Sequence, residues 1–154
     1  MQHALKMLLF TILSLMVFSG SACAYSSKEA AVQKTLTSFL TAMKDKNADA
    51  MGKVLSKDFA YYMYRTKINK SYSFDRERLM NWVRQTPEKY STLEASDQRM
   101  EFIGASGRIA IVQANLLAQW RKEESQSAAS FVFVNNDGVW QLLSYATDQV
   151  IDTY

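Results

Sequence analysis

From Arg108 to Glu123 the chain runs for 16 residues without glycine or proline. Between Ile109 and Arg121, the even positions are Ala110, Val112, Ala114, Leu116, Ala118 and Trp120, all apolar. Ile109, Ile111, Gln113, Asn115, Leu117, Gln119 and Arg121 occupy the odd ones, a mixed set. A period of two is the signature of a strand with one dry face and one half-wet face. So long a strand must bend, and a bent sheet can wrap around a helix. "SFVFVNNDGVWQLLSY" (Ser130–Tyr145) follows as two apolar strands around a polar turn, with Gly138 supplying any left-handed backbone the turn needs. This much already demands a large sheet, so whatever precedes it must cover one face.

The preceding residues are helical by pattern. Val32, Leu36, Phe39, Leu40 and Met43 form one apolar stripe, with Ser26 and Glu29 spaced as a capping box and an end near Lys46. "NADAMGKVLSKDF" predicts a short second helix capped by Asn47, with Gly52 weakening it. "FAYYMYRTKI" is strand-like, "NKSYSF" a short partner strand, and Ser73 or Asp75 can cap a third helix, "RERLMNWVRQ". Pro87 lies just beyond that helix, where it interrupts no hydrogen bond. "RMEFIG" predicts another strand, "ASG" a turn, and "RKEES" (Arg121–Ser125) a charged, solvent-exposed hairpin tip. Helices first and strands later indicate an α+β domain with the helices on one face of a curved antiparallel sheet.

The amino-terminal 24 residues read differently. Lys6, the uncharged run Met7–Phe18 and the small residues Ala22 and Ala24 match a secretory signal cut after Ala24. A rival cut before Cys23 would leave a lipid on that cysteine, although Gly20 stands where a lipobox prefers a larger aliphatic residue. The apolar run is short for a membrane span, so no stable span is expected after cleavage. Residues 25–154 would then form a single domain in the periplasm or outside the cell. Losing Lys6 lowers the net charge of +3 by one, and the remaining charges are interspersed, which argues against nucleic acid as a partner. His3 and Cys23 are the only histidine and cysteine, and both lie in the segment expected to be lost. The mature chain therefore has no thiol nucleophile, no histidine base, no disulfide and no ordinary zinc site, so no metal or cofactor is expected.

Aromatic residues are the remaining candidates for function. In "YYMYR", alternation sends Tyr62 and Tyr64 to one face and Tyr61 and Met63 to the other. Tyr62 and Tyr64 are candidates for a pocket wall with hydroxyl handles, against the plainer reading that tyrosine suits a half-buried strand. Trp82 suits either a pocket or the core, Trp140 the core, and Trp120 either a pocket rim or a dimer contact. Gln113, Asn115 and Gln119 are expected to face outward, because the opposite face is uniformly apolar. Asp58 reads as a turn residue.

The order helix–helix–strand–helix followed by long antiparallel strands resembles the nuclear transport factor 2-like (NTF2-like) superfamily, which includes SnoaL-like cyclases and ketosteroid isomerases. The resemblance rests on "FLTAMKDKNADAMGKVLSKDF", "GRIAIVQANLLAQW" and "FVFVNNDGVWQLLSY", and spans roughly Glu29 to Asp148. It implies a cone-shaped fold, its sheet wrapped around N-terminal helices, often paired through the sheet into a homodimer, with a mouth that holds a small apolar ligand. The isomerases' catalytic tyrosine, base and deep acid fall at Phe39, Met63 and about Ser130, none of which can do that chemistry. An epoxide-hydrolase-like cluster of Asp58, Arg65 and Asp148 is the remaining catalytic possibility. The resemblance thus implies a non-catalytic domain with Phe39, Tyr62, Tyr64, Trp82 and Trp120 as pocket candidates. The alternatives are a SnoaL-like isomerase or hydrolase and an envelope-assembly component.

Overall fold

The computed structural model describes residues 27–152. The expected signal segment and the Ser26 cap lie outside them. Helix α1 covers residues 27–44, and its stripe of Val32, Leu36, Phe39 and Met43 is buried. It ends where Lys46 turns into the left-handed region (φ 56°). The Asn47 side chain then accepts from the Ala50 amide at 3.0 Å, capping α2 (Ala48–Val54). Gly52 does not break α2, because it serves a close approach. A Cβ there would stand 3.2 Å from Met80 Cε, and the Gly52 carbonyl accepts from Arg76 Nη2 at 2.9 Å. The glycine that weakens the helix on propensity thus faces the side chains of α3 (Arg76–Gln85).

Six strands make one sheet: β1 (Leu55–Arg65), β2 (Lys70–Asp75), β3 (Tyr90–Ile103), β4 (Ile109–Trp120), β5 (Glu123–Asn136) and β6 (Val139–Asp152). Their order is β2-β1-β6-β5-β4-β3. The sheet is mixed rather than purely antiparallel, since β1 pairs with β6 in parallel. The reason is topological: α3 carries the chain from one edge to the other, and the β3–β6 meander then returns to meet β1. Asp75 Oδ1 accepts from the Arg78 amide at 2.8 Å and so starts that crossing helix. Four register shifts interrupt three of the five strand pairings, at Leu55/Ala60, Tyr90/Thr92, Ser96/Arg99 and Val132/Phe133. Bulges of this kind bend strands and strengthen twist, giving the curved sheet of an α+β cone.

Two turns refine the expected strands. The unbroken run beyond Arg108 divides at Arg121, which adopts φ 59° without being glycine, so β4 has 12 residues. Asp137 and Gly138 both have positive φ (52° and 90°), as a two-residue hairpin turn that matches strand twist requires.

Alternation along β4 is as read: Ala110, Val112, Ala114, Leu116 and Ala118 are buried, while Gln113 and Asn115 face out. On the same inner face β5 presents Phe133 and Phe131, then Ala129, Ser127 and Ser125. Side-chain volume therefore falls along the strand. The phenylalanine end fills the space beneath the helices, and the serine end leaves it open. Ser125 is accordingly buried instead of sitting in a solvent-exposed tip, because it lies opposite Ala118 on the inner face. Phe131 is fully buried between Phe39 and Tyr145, so Phe131→Ala should destabilise the fold by about 3–5 kcal/mol. Urea unfolding of the purified variant measures it; a loss below about 1 kcal/mol would show the closed end to be loosely packed.

Candidate functional site

The open end is a cavity of about 290 Å³. Its walls come from α1 (Phe39, Leu40, Met43), β1 (Tyr61, Met63, Arg65), α3 (Leu79, Trp82), β4 (Leu116, Ala118, Trp120) and β6 (Tyr145), with Phe74, Tyr90, Leu93, Glu123 and Ser125 completing them. All of these belong to the compact unit formed by residues 32–154. The size is at the lower end for sites that hold small organic molecules.

One wall is a column of stacked rings crossing four strands. Phe74 lies 5.7 Å from Tyr61, Tyr61 4.6 Å from Tyr145, and Tyr145 4.7 Å from Phe131, centroid to centroid. Each contact joins residues directly opposite in the ladder: Tyr61–Phe74, Tyr61–Tyr145 and Phe131–Tyr145. Strand pairing thus sets the stack, and each aromatic pair adds to the burial of its rings. Phe39 meets Phe131 and Tyr145 edge-on, which ties α1 to the column. The Tyr61 hydroxyl pairs with Thr147 Oγ1 at 3.2 Å. Burial holds both Tyr61 and Tyr145 above the usual tyrosine range, Tyr145 well above it. Both are therefore neutral phenols at physiological pH.

The opposite side is tied together by polar groups. Trp120 Nε1 donates to the Glu88 carbonyl at 3.3 Å, and Arg121 pairs with the Glu88 carboxylate while its guanidinium covers the Trp120 ring at 4.6 Å. The Arg121 hydrogen bond, first among the causes, lowers the Glu88 carboxyl below its usual range. The Lys46 ammonium sits 3.3 Å from the Trp82 ring centroid and 4.8 Å from that of Tyr90, with no hydrogen-bond partner among the described residues. Burial lowers Lys46 to about 8, with Glu88 opposing, and burial raises Tyr90 to about 12. The π faces also favour the cation, so the two effects compete at this site.

The structure places Phe39, Trp82 and Trp120 on the cavity wall. Tyr62 and Tyr64 are a correction: they do not line the cavity, and are 53% and 39% exposed. Alternation along β1 is right, but the inward set is Tyr61, Met63 and Arg65, because Tyr61 is the member opposite the buried Tyr145. Tyr64 instead donates to Asn69 Oδ1 at 2.6 Å on the outer face. Ser130 also faces outward, between the inward Ala129 and Phe131, so it is not a deep cavity position. The Asp58, Arg65 and Asp148 cluster is not assembled. Arg65 points to the cavity, Asp58 is exposed, and Asp148 is exposed on the outer face and accepts from Thr66 Oγ1 at 2.7 Å. Sequence reasoning missed Tyr61, Tyr145 and Ser125. The parity shared by Ser125, Ser127, Phe131 and Phe133 was the available signal.

A family model described as "Putative lumazine-binding" matches residues 27–146, most of the chain. The chain belongs to that family. Its fold is that of the NTF2-like superfamily. An NTF2-like protein from Cytophaga hutchinsonii is 12% identical at TM-score 0.68, covering 79% of this chain and 98% of its own. An NTF2-like protein of unknown function from Shewanella baltica is 13% identical at TM-score 0.66, covering 82% and 96%. A "Putative Scytalone Dehydratase" from Novosphingobium aromaticivorans is 12% identical at TM-score 0.64, covering 84% and 89%. These likenesses establish the fold. No curated protein matches the chain. Among the described residues, no acidic, histidine or cysteine cluster suits a metal ion, and no helix is long and apolar enough to cross a membrane.

Lys46, set against the cavity residues Trp82 and Tyr90, gives the fold a distinctive pH response. The unfolded chain keeps Lys46 protonated up to 10.5, the folded chain only to about 8. Unfolding between those values takes up a proton, so stability climbs with pH in that window. Lys46→Met should abolish the climb between about pH 8 and pH 10. Urea midpoints measured across that range for both proteins decide it; parallel curves would show that Lys46 keeps its ordinary affinity for the proton.

Proposed function

We propose that this domain binds a small, largely apolar ring compound in the cavity and does not transform it. The observation that carries this reading is the volume gradient on the inner sheet face. Phe131 and Phe133 close one end, while Ala118 and Ser125 leave a cavity walled by aromatic rings at the other. The family's description names lumazine, itself a ring compound, which agrees with an aromatic wall. Burial drives such binding, at roughly 25 cal/mol for each Å² removed from water. The tyrosines of the wall are held neutral, and its one carboxylate, Glu123, is exposed.

A second copy on the outer sheet face belongs to the same proposal. Tyr62 and Tyr64 are exposed there, and register sets them beside Ala146 and Asp148 at a shallow groove that also includes Ala128 and Ser130. Small residues beside large exposed ones suit a self-complementary contact. Delivery to the periplasm through residues 1–24 completes the proposal. Native mass spectrometry of protein from the envelope of its own host should show a dimer of chains beginning at Tyr25; monomers, or chains retaining residues 1–24, would remove those two elements.

Titration with the neutral fluorophore N-phenyl-1-naphthylamine tests the binding itself. Ala118→Trp fills the cavity and should weaken probe binding at least about tenfold, whereas Asp58→Asn should leave it within about twofold. Circular dichroism verifies that Ala118→Trp is folded, and Met63→Trp replaces it if it is not. Full binding by a folded, cavity-filled variant would defeat the reading.

A further inference from the structure

Among the described residues, the Arg65 guanidinium and the Tyr145 hydroxyl stand on the cavity wall without a hydrogen-bond partner. Arg65 follows Tyr61 and Met63 on the inner face of β1, is half-buried, and lines the cavity. Its side chain makes no hydrogen bond or ion pair among the described residues. The carboxylate nearest in register, Asp148 opposite Tyr64, is turned to the outer face and engaged by Thr66. The second group is the Tyr145 hydroxyl. Tyr145 is 5% exposed, lines the cavity, and has no hydrogen-bond partner among the described residues, whereas neighbouring Tyr61 has Thr147. A guanidinium and a phenol with no protein acceptor leave donors on the cavity wall that a ligand can engage.

Trp120, Lys46 and Glu123 do not compete for that role. The Trp120 indole N–H is committed to the Glu88 carbonyl, and Lys46 to the rings of Trp82 and Tyr90. Glu123 also borders the cavity, but its side chain is exposed, where water and salt screen it far more than a half-buried charge. The rings reinforce the same preference. Tyr61, Tyr145, Phe74 and Phe131 occupy each other's faces, so the column turns its edges to the interior, and aromatic edges carry the positive end of the quadrupole. The cavity is rich in donors and positive edges and poor in acceptors.

We infer that the cavity takes an aromatic carboxylic acid, whose carboxylate is held by Arg65, whose acceptor atoms meet the Tyr145 hydroxyl, and whose ring packs against the aromatic wall. This rests on the binding reading above and specifies its ligand class. An arginine can offer a carboxylate two parallel N–H donors, and charge-assisted hydrogen bonds of this type are the strong ones.

The test compares 2-naphthoate with its neutral isostere 2-naphthamide as displacers of N-phenyl-1-naphthylamine at pH 7.5. Naphthoate should bind about tenfold more tightly than naphthamide to the unaltered protein, with the advantage shrinking as salt is raised. Arg65→Met, which keeps the apolar stem, should cancel the advantage while leaving naphthamide within about twofold; Arg65→Lys should restore part of it. Tyr145→Phe, which keeps the ring column, should weaken both displacers by about threefold or more. Equal affinities for the two displacers, or an advantage that survives Arg65→Met, would overturn the assignment while continued binding of the neutral fluorophore upholds the cavity as a site. Failure of the fluorophore and both displacers to bind would bring down the two readings together.

Discussion

The parallel contact between β1 and β6 is the constraint on which the rest of this structure depends. It places Tyr61 directly opposite Tyr145, and so joins Phe74, Tyr61, Tyr145 and Phe131 into one stacked column across β2, β1, β6 and β5. The first and last strands in chain order thereby share one ring contact. Phe39 packs edge-on against the same column and fixes α1 over it. A slip of one residue in β1 would exchange Tyr61 and Met63 for Tyr62 and Tyr64, taking the Tyr61 ring out of the column and bringing in side chains that now stand in water. Packing specificity and pocket shape therefore have a common origin.

The cavity follows from a difference in side-chain volume rather than from any special loop. Along the inner face of β5, Phe133 and Phe131 give way to Ala129, Ser127 and Ser125, opposite Leu116 and Ala118 of β4. Interiors are packed at nearly crystalline density, so a gradient of this size within one face must appear as space. The polar side opposite the column is organised around Glu88, which accepts from Trp120 through its carbonyl and pairs with Arg121 through its carboxylate. Lys46 spans from the end of α1 to Trp82 and Tyr90. Three chain segments distant in sequence thus hold one wall, and its aromatic rings are oriented before any ligand arrives.

Much of the fold was legible in the residues alone. The helix caps Asn47 and Asp75, the alternating faces of β4, the hairpin turn at Gly138 and the α+β order each follow from local chemistry. So does the family likeness, which depends on the order of those elements. The parallel pairing was not legible, because no local signal distinguishes a strand that meets its neighbour antiparallel from one such as β1, whose Tyr61 meets the distant Tyr145 in parallel. Arg121 illustrates a second limit: it turns the chain as glycine would, because its charge is paired with Glu88 and its guanidinium covers Trp120. Gly52 illustrates a third, since its value lies in Met80 and Arg76 on another helix.

For the site, the sequence by itself determined the available chemistry: a chain with no histidine or cysteine after residue 24, rich in tyrosine and tryptophan, with alternation that separates Tyr61, Met63 and Arg65 from Tyr62 and Tyr64. Only the tertiary structure decided which of those two sets faces inward. Period two is symmetric, so a strand with aromatic residues on both faces carries no mark of its buried side. The choice was made by Tyr145 and Phe74, which cover the rings of Tyr61 from both sides, and no neighbour in sequence could have announced them.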